Sequence, residues 1–322
     1  MPLGRMSRLV PTIAVMFAGA LTTHAACSAL AAEGAAQAEE SPIHLNVTYA
    51  AEVMHNARGG LRTGTGYRDD LQLEAAVDAE KLLGMTGGAF YVSGHVITYD
   101  GFSAKYVGEA QTVSNLDVHS GVRLYEAWYE QAIGSQFSLK AGLYDLNSEF
   151  DADPPAALFI NSSHGIGIDF SQTGQNGPSI YPVTSLAARL AWRGSDGFSL
   201  QFAVLDAVPG DPGHPRRTTV KLAKGDGALL VGEAGYLWNR GQIAIGGWGY
   251  TARFDDLVLK TAAGTPVQHR NNRGAYAFIT TRLLGDAEAT PSVDVFFRAG
   301  MAETSINQVG TFFGAGLARF AI

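Results

Sequence analysis

Glu126, Trp128 and Glu130 occupy every second position of the run Val122–Gln131. On a strand, side chains two apart share a face, so these three would point the same way. Two carboxylates beside an indole can accept bonds from sugar hydroxyls while the ring covers the apolar face of a pyranose. A carboxylate pair also suits glycoside hydrolysis, but two acids on one strand face are too generic a signal for it. Arg189, Arg193, Arg253, Arg282 and Arg298, with Lys140, add hydrogen-bond donors. Asp294 adds an acceptor and Tyr144 a second ring, so the chemistry on offer is recognition of hydroxyl-rich solutes.

Other chemistries find little support. His44, His55, His95, His119, His164, His214 and His269 are scattered without metal-ligand spacing, so no metal site is expected. The acidic stretch Asp145–Asp153 lacks the order of an EF-hand. There is no Gly-x-Ser-x-Gly elbow or phosphate loop in a strand–helix setting, and no cofactor is expected. Cys27 is the only cysteine, which leaves the rest of the chain without a thiol nucleophile or disulfide. A net charge of −7 argues against a nucleic-acid partner.

The positions of these residues depend on strands. Residues Phe137, Leu139, Ala141 and Leu143 form an oily face opposite Ser138, Lys140, Gly142 and Tyr144. The same alternation sets Leu186, Ala188, Leu190 and Trp192 against Arg189 and Arg193, and Val293, Val295, Phe297 and Ala299 against Asp294 and Arg298. Ala275, Ala277 and Ile279 oppose Tyr276, Phe278 and Arg282. In Val122–Gln131, Tyr125, Ala127 and Tyr129 should face outward, and Arg123 should share that face near the loop rim. About twelve strands follow from this reading. They run roughly 43–55, 66–82, 88–99, 121–132, 136–145, 184–192, 197–206, 229–238, 242–254, 273–284, 292–301 and 311–320.

The joins alternate. Tight ones fall at Leu83–Gly87, Ile133–Ser135, Arg193–Asp196, Asn239–Gly241 and Gly285–Pro291. Long ones fall at Asn56–Thr65, Asp100–Ser120, Leu146–Val183, Ala207–Gly227, Asp255–Asn272 and Ala302–Gly310. Short turns at one rim and long loops at the other are the habit of an outer-membrane barrel. Only 16% of residues are charged, which suits a sheet with one face in lipid. Tyr181, Trp192, Tyr236, Trp238, Trp248 and Tyr250 sit near strand ends, where they would form interfacial girdles. The competing readings are a soluble, exported β-rich binding or structural protein and a barrel enzyme acting on lipid; the latter needs a Ser/His pair at one rim, and none stands out.

The N-terminus reads as an export signal: Arg5 and Arg8, the apolar run Leu9–Leu21 and the small-x-small site Ala29–Ala31. The expected division is a signal peptide at 1–31, a short periplasmic segment at 32–42 and the barrel at 43–322, in the outer membrane of a Gram-negative bacterium.

The middle of the chain is more specific. The runs Ala104–Asn115, Arg123–Gln131, Ala141–Phe150, Leu158–Ser163 and Ser179–Val183 follow in order. Together they resemble the carbohydrate-selective porins of the OprB family, from about Ile43 onward. Gly142-Leu-Tyr-Asp-Leu-Asn-Ser-Glu-Phe150 with Phe159-Ile-Asn-Ser-Ser163 carries most of the likeness. The resemblance implies an antiparallel barrel of about sixteen strands through which small sugars, glucose among them, diffuse passively. This chain differs in being about four strands shorter and in ending Leu317–Ile322 without a terminal aromatic, so a truncated C-terminus or a reduced barrel is expected. By position, the join Leu146–Val183 is the third outer loop, which in many porins folds into the lumen. The resemblance therefore makes Asn147, Glu149, Phe150, Asp151, Asp153, Phe159 and Asn161 constriction residues. Expected partners are mono- and small oligosaccharides and outer-membrane lipid, with a homotrimer as a candidate assembly.

Overall fold

Period-two alternation decides which way each strand faces, and the burial of side chains follows it. A computed structural model describes residues 41–285 and 291–320. The predicted signal peptide and most of the 32–42 segment lie outside the described residues. The strands are β1 (Ile43–Asn56), β2 (Gly64–Asp78), β3 (Gly88–Thr98), β4 (Gly121–Ile133), β5 (Phe137–Tyr144), β6 (Ser185–Arg193), β7 (Phe198–Asp206), β8 (Ala228–Trp238), β9 (Gly241–Tyr250), β10 (Phe254–Lys260), β11 (Pro266–His269), β12 (Arg273–Leu284), β13 (Ser292–Ala302) and β14 (Thr311–Phe320). Twelve of them form one antiparallel sheet in chain order, from β1 through β9 and then β12 to β14. Each is joined to its predecessor by neighbour pairing, as an up-and-down barrel wall requires. Among the described residues β1 and β14 do not pair with each other.

One face of this sheet is oily and bare. On β7, Phe198, Leu200, Phe202 and Val204 are 40–54% exposed while Ala203 and Leu205 are buried. On β13, Phe297 and Met301 are exposed while Asp294, Phe296 and Arg298 are buried. Such a face is stable only against hydrocarbon, and a closed or nearly closed sheet is the strand architecture that a bilayer tolerates. The predicted twelve strands and their faces match this sheet closely.

Three departures have physical causes. The pairing of β3 with β4 slips between Ser93 and Gly94, so Ser93 opposes Glu126 and Gly94 opposes Leu124. Tyr125 is the extra residue of a β-bulge. It turns inward with Glu126, and Arg123 is buried too, so the expectation that Tyr125 and Arg123 face outward is overturned. Next, the stretch after β9 leaves the wall: β10 and β11 form a separate hairpin within the loop predicted as irregular. Last, the strand predicted to run to Leu82 stops at Asp78, and the residues after it form a one-turn helix, α1 (Ala79–Leu83), capped by the Asp78 carboxylate and closed by Gly84 at φ 72°.

The aromatics divide between the two faces. Phe90 lies 4.8 Å from Tyr129, Phe198 lies 4.6 Å from Tyr236, and Tyr236 lies 6.1 Å from Trp238. These pairs sit at the short-turn ends of their strands and make an outer girdle. Trp248 and Tyr250, by contrast, are buried on the inner face, and Tyr181 packs edge-on against His95 and Tyr125. These three do not belong to a girdle, because their partners are the inward loop and the inner wall.

Candidate functional site: the inward loop and its passage

The join between β5 and β6 folds across the inner face of the sheet. It starts with an Asx turn, in which the Asp145 carboxylate accepts from Asn147 N at 2.9 Å. Asn147 Nδ2 donates to the carbonyls of Phe150, Asp151 and Gly165 at 3.1–3.2 Å, folding the segment back on itself. Leu146, Phe150 and Phe170 are fully buried. Phe170, in the single-turn helix α2 (Ile168–Ser171), stacks on Trp248 of β9 at 4.9 Å and 3°.

Five consecutive residues of this loop reach seven strands. Glu149 pairs with Lys140 of β5 at 2.8 Å and with Arg189 of β6 at 2.7 Å. Its carbonyl accepts from Gln201 of β7 at 2.7 Å. Asp151 N donates to Glu233 of β8 at 2.8 Å, and the Asp151 carboxylate pairs with Arg298 of β13. Gln242 of β9 donates to Ala152 O at 3.4 Å, and Thr280 of β12 donates to Asp153 at 2.5 Å. A flat sheet would spread these strands over far more than five residues could span. The sheet therefore wraps around the loop, and the loop occupies its lumen.

Two charge groups hold the loop. In the first, Glu130, Lys140, Glu149 and Arg189 balance: Arg189 bonds Glu130 at 2.8 Å and both oxygens of Glu149, and Tyr144 OH donates to Glu149 at 2.7 Å. Burial pushes the Glu149 carboxyl up, but Lys140 and Arg189 outweigh it and bring it down to about 2. In the second, Asp151, Asp153 and Asp169 gather near the single guanidinium of Arg298. Burial dominates there and lifts Asp151 to about 7 and Asp169 to about 6, against the pull of Arg298. Asp151 also sits at φ 49°, a left-handed backbone that Asp tolerates better than most residues.

The model of the carbohydrate-selective porin family OprB matches residues 62–322. The chain is also similar to the high-pH structure of OprB from Pseudomonas putida, at 19% identity over 89% of this chain and 73% of that one, with a TM-score of 0.74. The low-pH structure of the same protein is similar at 15% identity, over 89% and 74%, with a TM-score of 0.52. No curated protein sequence matches it. This chain belongs to the OprB family of carbohydrate-selective porins. It is thus an outer-membrane channel rather than an enzyme.

In this porin the predicted contact residues fall into three groups. Glu130, Lys140, Tyr144, Glu149, Arg189, Asp151, Asp153 and Arg298 are brought together as anchors of the inward loop. Arg298 spends its guanidinium on Asp151 and on the His164 carbonyl, at 2.7 Å for the latter. Glu126 accepts from Trp128 Nε1 at 3.0 Å and from Asp145 N at 3.1 Å. The Trp128 ring is engaged from both neighbouring strands, by Tyr91 at 5.1 Å and by Lys140 Nζ at 4.0 Å. The second group stands apart. Arg282 pairs with Asp294 at 2.9 Å toward the short-turn end of β12. Arg193 is exposed at the end of β6, and Arg253 is exposed between β9 and β10, off the strand it was assigned to. The third group is in the loop itself. Phe150 is buried, Phe159 packs on Phe296 at 5.6 Å, and Asn161 Nδ2 donates to Thr112 O at 2.9 Å.

The open space lies beside these anchors. A cavity of about 390 Å³ runs between the inner faces of β2 and β3 and the inward loop, lined by Asp70, Gln72, His95, Asn115, Asn147 and Tyr181, among others. A second of about 320 Å³ adjoins it and shares Asp117, Val118, Ser171, Ile180 and Tyr181. Asp70 holds His95 Nδ1 at 2.8 Å and accepts from Tyr181 OH at 3.2 Å. Sequence reasoning missed this wall. Its signal was present in Arg68-Asp-Asp-Leu-Gln-Leu-Glu74, where every second residue is polar.

Proposed function

We propose that this porin passes small neutral sugars, glucose among them, by passive diffusion along the passage beside the inward loop. The observation that carries this reading is the wrapping of seven strands around Glu149–Asp153, which places a folded loop inside the lumen and leaves the passage between loop and wall. The passage offers amide and hydroxyl groups from Gln72, Asn115 and Tyr181 to match a sugar's alternating donors and acceptors. The ion-paired Glu130, Lys140, Glu149 and Arg189 support the constriction rather than exposing a field of one sign. Transport needs such weak, multiple contacts, because a solute held firmly would not leave.

Proteoliposome swelling tests the reading. Glucose should enter faster than a charged solute of equal size. Equal rates would make the channel a general one, and no swelling with any small sugar would remove the sugar role. Export is inferred to remove residues 1–31. An intact mass for the outer-membrane protein beginning after Ala31 checks that cut.

A further inference from the structure

A third cavity lies at the long-loop rim beside the passage, with which it shares Gln172. It holds about 380 Å³, within the range of small-ligand sites. The inward loop contributes Asp169 and Gln172, the base of the β10–β11 hairpin contributes Phe254, the start of β12 contributes Asn272, and the join after β13 contributes Asn307 and Gln308.

Its walls are tied together without help from a ligand. Leu257 N donates to Ser305 O at 2.9 Å, joining the hairpin to the loop after β13. Asn307 Nδ2 donates to Asn272 Oδ1 at 2.8 Å and to Glu303 O at 3.0 Å. Thr173 Oγ1 shares a 3.1 Å hydrogen bond with Tyr250 OH, and the Tyr250 ring meets Phe254 edge-on at 5.4 Å.

Two polar groups of this wall remain unmet. Asn272 is 1% exposed, and its Nδ2 has no hydrogen-bond partner. Asp169 is 1% exposed, and its Oδ2 has none either. Buried donors and acceptors are costly unless satisfied. The pair narrows what could satisfy them. A cation has nothing to accept the amide hydrogens, and an anion would meet Asp169 and Asp255 in the same cavity. A hydroxyl both donates and accepts, and the half-buried Phe254 ring offers a surface for the apolar side of a pyranose.

We propose that this rim cavity is a capture subsite for a neutral sugar, in which Asn272 and Asp169 bond hydroxyl groups and Phe254 supports the ring before the solute enters the passage. The proposal rests on the sugar-channel reading and deepens it. Gln308, exposed at the edge, gives a further hydrogen bond and leaves the site open to solvent.

Saturation-transfer NMR of the whole protein in detergent, with glucose and maltose as probes, tests it. Phe254→Ala and Asn272→Ala should each raise the sugar's dissociation constant about tenfold, the worth of one ring contact or one neutral hydrogen bond. Asp169→Asn should do the same. Should Asn272→Ala or Asp169→Asn fail to fold, Phe254→Ala and the exposed Gln308→Ala decide. Unchanged dissociation constants in the folded variants, or no saturable transfer to the wild type, would overturn the proposal. Ion conductance in planar bilayers, read on the same preparations, reports on the channel separately. A conducting porin whose sugar affinity ignores these variants loses only the subsite. A non-conducting one loses the channel reading, and the titration still judges the cavity.

Discussion

The two ends of the Glu149–Asp153 segment are anchored by opposite electrostatic strategies. At Glu149, two cations meet two carboxylates and every charged group has an oppositely charged partner within 4 Å. At Asp151, several acids crowd one arginine and burial prevails over attraction. The first is a matched clamp, intolerant of losing a member. The second has a built-in escape, because Asp151 can take a proton. The lesson is that buried ion pairs with similar distances need not contribute alike, since what matters is whether the survivor can neutralise itself.

The same substitution at each end measures the difference. Arg189→Met leaves Glu130 and Glu149 with Lys140 alone. It should destabilise the protein by about 3–5 kcal/mol, the usual result of breaking a buried pair. Urea unfolding followed by the loss of heat-modifiable migration in gels would report it, and a loosened loop should also raise single-channel conductance. Arg298→Met removes a comparable ion pair, yet Asp151 then protonates, so the loss should be about 2–3 kcal/mol at neutral pH. Equal losses at the two ends would refute the contrast.

The pH dependence has opposite signs at the two ends. Glu149 falls from an ordinary 4.5 to about 2, so its stabilisation is full above about pH 4.5 and is lost as pH drops toward 2. Asp151 rises from 3.8 to about 7, so between those values the folded protein holds a proton that the unfolded chain has released. Its contribution is therefore greatest below about pH 4 and declines as pH rises through 7. Asp151→Asn should flatten the fall in unfolding midpoint between about pH 4 and 7. A wild-type slope that survives this substitution would place the titration elsewhere.

Most of the wall was legible because lipid on one side enforces strict alternation. In β6, β7, β13 and β12 as far as Arg282, each inward or outward assignment follows from parity alone. Parity failed where two successive residues both turn inward, as Tyr125 and Glu126 do at the bulge. It also cannot tell an aromatic girdle from an aromatic core: Trp238 and Trp248 sit near strand ends alike, but only Trp248 meets the inward loop through Phe170. The charge partners were hidden for another reason. Arg298 and Asp151 are 147 residues apart, and nothing in either one's local sequence names the other. The loop's inward turn rested on resemblance, since a solvated loop would have the same composition.

Trp128 gives the smallest and most discriminating test. Its position beside two carboxylates on an inward face made it a sugar platform in sequence. Its surroundings tie it to the matched clamp: Tyr91 lies against it from β3, Lys140 Nζ from β5, and its N–H serves Glu126. Stacking and a cation over the ring each contribute about 0.5–1.5 kcal/mol. Trp128→Leu should accordingly lower stability by about 1–2 kcal/mol, less than either arginine. Sugar block of the ion current should stay as in the wild type, because Tyr91 and Lys140 already engage the ring. A marked weakening of block with unchanged stability would reverse the assignment and return Trp128 to the pathway, which would in turn mean that the loop moves away from β4 and β5 when sugar passes.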